Sequence, residues 1–516
     1  MKTTLPIAIL SFVAIAAAEA ELKLPAIVGD QMVLQQKQAN PIWGWDQPGT
    51  EVKVSFGDQS KSAKADATGR WSVKLDPMPA SADGAVLTIS GTSKRELQDV
   101  VVGEVWMCSG QSNMAWPVAN DWKFEVESLA SNHPGIRLIS VPQVGTQEMQ
   151  SDFNGKWEAA TPDSVKNFSA VGFFYGRYLH EILGVPVGLI DNAWGGSAAE
   201  AWIRRDTIEK DDRFKALIDD WKQREELAQS DEAKEKHEQV MKKWKERVAK
   251  AKAEGKAPPR APRGPSWQLK GNQRPGNIFA GVVHPTLGYG IKGVIWYQGE
   301  SNSRRAWEYR ELFPFMIEQW RKEWGQGDFP FYWVQLADFR DEQPEPGEST
   351  WAELREAQTG TMKLPNTGEA VIIDLGEGSD IHPKNKYDVA ARLVRWALAN
   401  DYGFEGIEPR SPRYQGVEIT GNKATLSFDH VGGGLRTVDT RVVEGFAICG
   451  EDRQWVWAQA KITGNDKIQV WADGVEKPVA VRYAWADNPV CNVYAKNGLP
   501  LTPFRTDDFK LTTKPD

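Results

Sequence analysis

Apolar residues alternate with polar ones at Val52, Val54 and Phe56, at Trp71, Val73 and Leu75, and at Ala85, Leu87 and Ile89. A period of two marks strands with one buried face, and the Gly, Asp and Pro residues between these stretches mark turns. Residues 21–99 are therefore expected to form a small β-sandwich. From position 100 the pattern changes. "VVVGEVWMC" (100–108) is a continuous apolar run, as a strand covered on both faces requires. Similar runs follow at 185–196 ("VPVGLIDNAWGG"), 291–301 ("IKGVIWYQGES"), 329–339 ("FPFYWVQLADF") and 369–376 ("EAVIIDLG"). Stretches of helical spacing separate or follow them, at 169–184, 309–325, about Trp351 to Lys363, and 386–400. Strands alternating with helices predict an α/β fold, a mainly parallel sheet in a three-layer α/β/α arrangement over 100–404.

Residues 204–265 interrupt this alternation. Phe214, Leu217, Ile218 and Trp221 form one apolar stripe; Val240, Trp244 and Val248 form another, and the remainder is almost all charged. The pattern predicts a helical hairpin with a solvated face, closed by the Pro-rich loop "GKAPPRAPRGP" at 255–265. After 405 alternation returns at Val417/Ile419, Ala424/Leu426/Phe428, Ile468/Val470 and Val479/Val481/Tyr483/Trp485, which predicts a second β-rich region over 405–516.

The first twenty residues carry an early Lys2, an apolar stretch from Leu5 to Ala18 and the triplet Ala18-Glu19-Ala20. They are read as a secretory signal peptide, too short to span a bilayer, which implies export to the periplasm or the exterior. No later stretch has the length and apolarity of a membrane span, so membrane insertion is not expected. A chain of 516 residues exceeds what one core usually supports, which agrees with several domains. The net charge of −8 argues against a nucleic-acid partner, since phosphate contacts need a basic surface. Tryptophans (23) outnumber tyrosines (11) two to one; most such rings fill cores, but exposed ones stack on sugar rings, a hint toward carbohydrate. Three cysteines do not make a disulfide framework, although Cys449 and Cys491 could pair; Cys108 lies in an apolar strand and reads as a buried thiol.

Six histidines show no metal-ligand spacing, and there is no glycine-rich phosphate loop or dinucleotide fingerprint, so neither metal nor cofactor is expected. Serine hydrolysis needs a nucleophile, a base and donors for an oxyanion. Ser112, in Gly110-Gln111-Ser112-Asn113, follows the first strand of the α/β layer; it fits a helix N-cap as well as a nucleophile. His382 lies in "SDIHPKNK" after the last strand, two residues beyond Asp380, a carboxylate able to orient an imidazole. Gly195 and Gly196 follow the second strand and offer backbone N–H groups. "WYQGESN" places Gln298, Glu300 and Asn302 after the third. Each loop is a weak signal alone. Together they fall at the carboxyl ends of strands in one sheet, where such folds bind ligands.

The chain order Ser, Gly, amide, Asp, His resembles the block order of SGNH/GDSL-type hydrolases. "GEVWMCSGQSNMAWPV", "DNAWGGSAAEAWI", "GVIWYQGESN", "DIHPKNKYDVAARL" and "YAWADNPVCNVYAKNGLPLTPFRTD" are similar to blocks of the sialate O-acetylesterase-like family. The resemblance covers most of the chain beyond the signal peptide. It implies deacetylation of sugars through an acyl-enzyme, without metal. By position, Ser112 would be nucleophile and His382 general base. The N–H groups of Ser112 and Gly196 (or Gly195), with an amide from Gln298 or Asn302, would hold the oxyanion. SGNH enzymes usually carry Asp three residues before the His; here that place is Ser379, so Asp380 is expected to orient His382, with Glu300 the runner-up. The expected function is a sialate 9-O-acetylesterase-like carbohydrate esterase acting on an acetylated glycan, with no protein partner implied. An acetylxylan esterase is the alternative within the class. A non-catalytic glycan-binding protein and a glycosidase with two facing carboxylates are the alternatives outside it. A sialate substrate would need a cation near the site, for which Arg204, Arg304, Arg305 and Arg355 are candidates. Arg304 and Arg355 are taken with Trp194 as the substrate-binding set.

Overall fold

A computed structural model describes residues 21–515; the expected signal peptide lies outside the described residues. Among the described residues, no helix is long and apolar enough to cross a membrane. The centre of the molecule is a mainly parallel sheet. From one edge its strands are Thr367–Ala370, Phe331–Val334, Gly293–Tyr297, Lys94–Gly110, Val187–Asp191 and His133–Ser140, with Glu158–Ala160 antiparallel at the far edge. Each apolar run serves two cores, because neighbouring side chains of a strand point to opposite faces. Val105, Met107, Val294, Trp296, Phe331 and Trp333 pack with the helices Ala306–Trp324 and Thr350–Gly360. Trp106, Cys108, Ile295, Tyr297 and Tyr332 pack with the helices Ala170–Leu183 and Lys386–Asn400.

The strand Lys94–Gly110 runs seventeen residues without a break, so the change of pattern at position 100 falls inside one strand. Its first half pairs with Ser81–Ser90 and Val33–Gln35, and its second half enters the parallel sheet. The two sheets thereby become one eleven-stranded assembly. The strand His133–Ser140 is absent from the pattern reading. Arg137 interrupts its apolar run, and in the fold that guanidinium is buried against Asp99 Oδ2 at 2.5 Å.

The helices Lys215–Gln229 and Asp231–Ala253 meet at Ser230, whose hydroxyl caps the second by accepting the Ala233 N–H. Leu217, Ile218 and Trp221 enter the main core. The second stripe does not behave as expected: the longer helix buries no residue, Val240 is exposed, and Trp244 is only half-buried. Three apolar residues four apart make a stripe too narrow to cover against a core, and their neighbours are lysines and glutamates.

Beyond 405, Ala424, Leu426, Phe428, Ile468, Val470, Val481 and Tyr483 form antiparallel sheets around a third core, which also takes in Val371 and Ile373 from the end of the central sheet. Val417, Ile419 and Val479 are exposed instead: Val417 and Ile419 lie on the edge strand Arg413–Thr420, opposite the buried Leu426 and Ala424, and Val479 precedes the strand Ala480–Tyr483. Cys449 and Cys491 are both free. Cys491 packs over Gly445, where an added Cβ would lie 2.7 Å from its own. Four extended steps along the strand lead from Gly445 to Cys449, roughly 13 Å, while a disulfide needs Cα atoms within about 7 Å. Cys108 is a buried free thiol.

The sheet's chain order sets the site. The Lys94–Gly110 strand is entered first. The next parallel strands lie to one side of it and the last three to the other, so its carboxyl end is the topological switch point.

Candidate active site

The chain leaves the central strand at Gly110 with φ +136°, and a Cβ there would lie 2.3 Å from the Tyr297 carbonyl oxygen. Only glycine fits both the dihedral and the space. The Gln111 N–H then donates to that same carbonyl at 2.9 Å, and the Gln111 carbonyl accepts the N–H groups of Met114 and Ala115. This tight turn lifts Ser112 above the end of the sheet. Gly110→Ala is expected to lower stability by roughly 1–3 kcal/mol from the dihedral alone, with the clash adding to it. A thermal midpoint equal to that of the wild type would contradict this account.

Ser112 Oγ lies 2.9 Å from His382 Nε2. The other imidazole nitrogen, Nδ1, is 3.3 Å from Asp380 Oδ1. The same oxygen accepts the His382 backbone N–H at 2.9 Å, and this bond first, then the imidazole, holds the Asp380 carboxyl below its ordinary range. The backbone bond folds the loop back on itself, which is how an acid two residues before the histidine reaches Nδ1. Trp116 stacks on the imidazole, with ring centres 5.1 Å apart and planes at 17°. Glu300, the other candidate acid, points elsewhere. Its Oε1 accepts from Asn113 Nδ2 at 2.7 Å, and its Oε2 is buried without a partner.

A Cβ on Gly195 would come within 3.3 Å of the Ser112 Cβ, so the glycine turn lies directly against the serine. Gly196 has φ +72°, again glycine's territory. The Asn272 amide donates to the Gly195 carbonyl and Gln273 Nε2 to the Gly196 carbonyl. In a trans peptide the N–H points opposite to the carbonyl, so drawing Gly195 C=O toward Asn272 turns the Gly196 N–H the other way. Among the described residues, the N–H groups of Ser112, Gly195 and Gly196 have no hydrogen-bond acceptor.

The two side-chain amides expected beside the oxyanion are committed elsewhere, which corrects that expectation. Gln298 is fully buried; its Nε2 donates to Ser197 O and Asn302 Oδ1, and its Oε1 accepts from Tyr309. Asn302 Nδ2 donates to Glu200 Oε2. These bonds stitch two loops together beneath the site instead of facing Ser112.

Arg355 also departs from expectation. It is fully buried, and its guanidinium donates to the carbonyls of Leu336, Ala337, Ala486 and Asp487, so it cannot meet a substrate. Burial lowers its pKa to about 10. Sequence alone does not distinguish such an internal bolt from a ligand-facing arginine. Arg204 pairs with Asp206 and Glu323, and Arg305 with Glu200 and Glu308. Arg304 is exposed and, among the described residues, unpaired. Trp194 is half-buried beside the glycine turn, its backbone N–H donating to Gly110 O at 2.9 Å. Among the described residues, no group of three or more His, Cys, Asp or Glu side chains is arranged to hold a metal ion.

Three residues of the site escaped sequence reasoning as functional: Asn113, Trp116 and Lys386. Each stands within or just beyond a motif block, so proximity was the available signal. Their contacts with one another were not visible.

A family model for carbohydrate esterases, sialic acid-specific acetylesterase, matches residues 102–254 and 273–390. A mouse sialate O-acetylesterase is 29% identical over 93% of this chain and 94% of its own length. The human sialate O-acetylesterase is 26% identical over 93% and 92% respectively. A crystal structure of a carbohydrate acetylesterase from Xanthomonas citri superposes with a TM-score of 0.79 at 36% identity, covering 95% of this chain and 100% of that one.

Proposed function

Because this chain belongs to the carbohydrate esterases of the sialic acid-specific acetylesterase family, a family of carboxylic ester hydrolases, we propose that it removes O-acetyl groups from sugars through an acetyl-enzyme formed on Ser112. The observation that carries the reading is the Ser112 Oγ to His382 Nε2 contact of 2.9 Å, with Asp380 on the far side of the ring. Ser112 Oγ attacks the ester carbonyl carbon while His382 Nε2 takes the hydroxyl proton. The carbonyl oxygen becomes an oxyanion, for which the free N–H groups of Ser112 and Gly196, with Gly195 the lesser candidate, are the donors. Each such donor typically supplies about 3–4 kcal/mol to the transition state. The intermediate collapses, the sugar oxygen leaves with the proton from His382, and the acetyl group stays on Ser112. Water then attacks the acetyl-enzyme, His382 takes its proton, acetate departs and the serine is restored. Asp380 holds the imidazole in orientation and favours its charged form.

We take O-acetylated sialic acid as the first substrate, with Arg304 as the cation for its carboxylate and Trp194 as a face for the sugar ring. One observation favours a second reading, acetylated xylan or another neutral glycan: Arg204, Arg305 and Arg355 are all committed within the protein, leaving little positive charge for an acidic sugar. The serine–histidine contact supports chemistry over glycan binding alone. Export to the periplasm or the exterior by residues 1–20, a β-sandwich over 21–99, a catalytic unit over 100–404 with a helical insertion at 204–265, and a β-rich region from 405 complete the proposal.

The test is acetate release from O-acetylated sialic acid and from acetylated xylan, side by side. Brief reaction with an acetyl ester, acid quenching and peptide mass analysis accompany it. One acetyl group is expected on the peptide carrying Ser112. An acetyl group on another peptide, or turnover of neither glycan, would overturn the reading.

A further inference from the structure

Asn113 follows Ser112, and Ile381 precedes His382. The Asn113 carboxamide joins them, its Nδ2 donating to the Ile381 carbonyl at 3.0 Å. That amide is gripped from two more sides. Nδ2 also donates to Glu300 Oε1 at 2.7 Å, and Oδ1 accepts from Lys386 Nζ at 2.6 Å. Asn113 is 1% exposed and Lys386 is fully buried, a rare place for a lysine. The ammonium also lies 5.7 Å from the Trp116 ring that stacks on His382, and 5.2 Å from the Tyr297 ring.

We propose that Lys386 and Glu300, acting through the Asn113 carboxamide, are positioning residues that lock the Ser112 loop and the His382 loop in register. The inference rests on the reading of Ser112 and His382 as nucleophile and base. Its logic is donor and acceptor inventory. An ammonium only donates and a carboxylate only accepts. With a pure donor on one side and a pure acceptor on the other, the amide has a single orientation, the one in which Nδ2 meets Ile381 O. A hydrogen bond to a charged partner is roughly twice as strong as one to a neutral partner, so loss of either charge loosens the grip on the amide and with it the bond to the Ile381 carbonyl. A buried pair with one partner removed is also left with an uncompensated charge.

The charges sit where they can be lost. Burial lowers the Lys386 ammonium to about 7, against the opposing pull of Glu300, Asp121, Glu377 and Asp380 around it. Burial raises the Glu300 carboxyl, opposed by its bond from Asn113 and by the Lys386 charge. Asp121, just after the short helix Val118–Asn120, faces the lysine from the Ser112 side and accepts the Lys386 backbone N–H at 3.1 Å. A group with a lowered ammonium pKa is charged below that value and neutral above it. On the lysine side the lock therefore loosens as pH rises through about 7, and on the glutamate side it loosens as pH falls through the raised carboxyl value.

The test is the pH profile of kcat and KM on p-nitrophenyl acetate for the wild type, Lys386→Met, Glu300→Gln and the double variant, with Ser112→Ala as reference. The wild type is expected to lose kcat on an alkaline limb near the Lys386 value. Lys386→Met is expected to lower kcat about tenfold to a hundredfold, the scale of a small misplacement of reacting groups, with KM unchanged and the alkaline limb gone. Glu300→Gln removes the anion that supports the ammonium, so its alkaline limb moves to lower pH; being isosteric, it carries the test if Lys386→Met does not fold. The double variant recovers part of the loss, because neither charge is left uncompensated. Wild-type kcat and an unmoved alkaline limb in both single variants would overturn the proposal. If Ser112→Ala is inactive in that case, only the lock fails. If Ser112→Ala is fully active, the nucleophile assignment fails first.

Discussion

Ser112→Ala is expected to lower kcat roughly 10⁴- to 10⁶-fold on any acetyl ester, leaving the residual catalysis that an oxyanion site and binding provide alone. The size of the loss follows from what the hydroxyl does. It is the atom proposed to form the covalent bond, and among the described residues it is the side-chain partner of His382 Nε2. Among the described residues the side chain's one hydrogen bond is to His382, so its removal is expected to leave the turn at Gly110–Ala115 intact and the thermal midpoint unchanged. Acetate release by purified wild type and variant, matched by circular dichroism, decides the matter. Undiminished turnover in the variant would remove the acyl-enzyme mechanism altogether. His382→Ala combined with Ser112→Ala should cost no more than either alone, since the two act as one unit.

The second large effect separates the two acids. Asp380→Asn is expected to lower kcat on the order of a hundredfold to ten-thousandfold, toward the lower end. The reason for the lower end is exposure: Asp380 is more than one-third exposed, so water screens its charge on the imidazolium more than in a buried triad. In the variant the amide oxygen can still accept both bonds that Oδ1 accepts in the wild type, so what is lost is the negative charge that favours the imidazolium. Glu300→Gln should cost less, because its carboxylate reaches Asn113 and not the imidazole. A measurement of kcat for both variants at one pH ranks them. A larger loss for Glu300→Gln would reassign the acid.

Much of the fold was legible because it depends on neighbours in sequence. Apolar runs without alternation, such as Val100–Cys108, could only be strands covered twice, and they are fully buried in the central sheet. The helical spacing of 386–400 likewise became a helix with its apolar face on the sheet. Misreadings arose where burial depended on what lay opposite. Val240 and Trp244 have helical spacing but meet no core, and Val417 and Ile419 alternate on an edge strand that is exposed on both faces there. The strand His133–Ser140 was lost because a buried arginine, paired with the partly exposed Asp99, replaced an apolar residue in its run.

At the site, the sequence determined which residue types stood at the ends of strands: Ser112, the Gly195–Gly196 turn, the Gln298–Asn302 loop and the Asp380–His382 pair. What it could not determine was reach. Ser112 and His382 are 270 residues apart, and Asn113 and Lys386 are 273 apart. Hydrogen bonds form over about 3 Å, a distance fixed by how the loops settle and not by their composition. Only the tertiary structure decided that Asp380 faces the imidazole while Glu300 faces Asn113. Only it showed that the amides of Gln298 and Asn302 bond beneath the site. It also turned Arg355 from a candidate for substrate into a link between carbonyls. Composition limits which groups are available for chemistry, but the geometry of the packed chain assigns each group its partner.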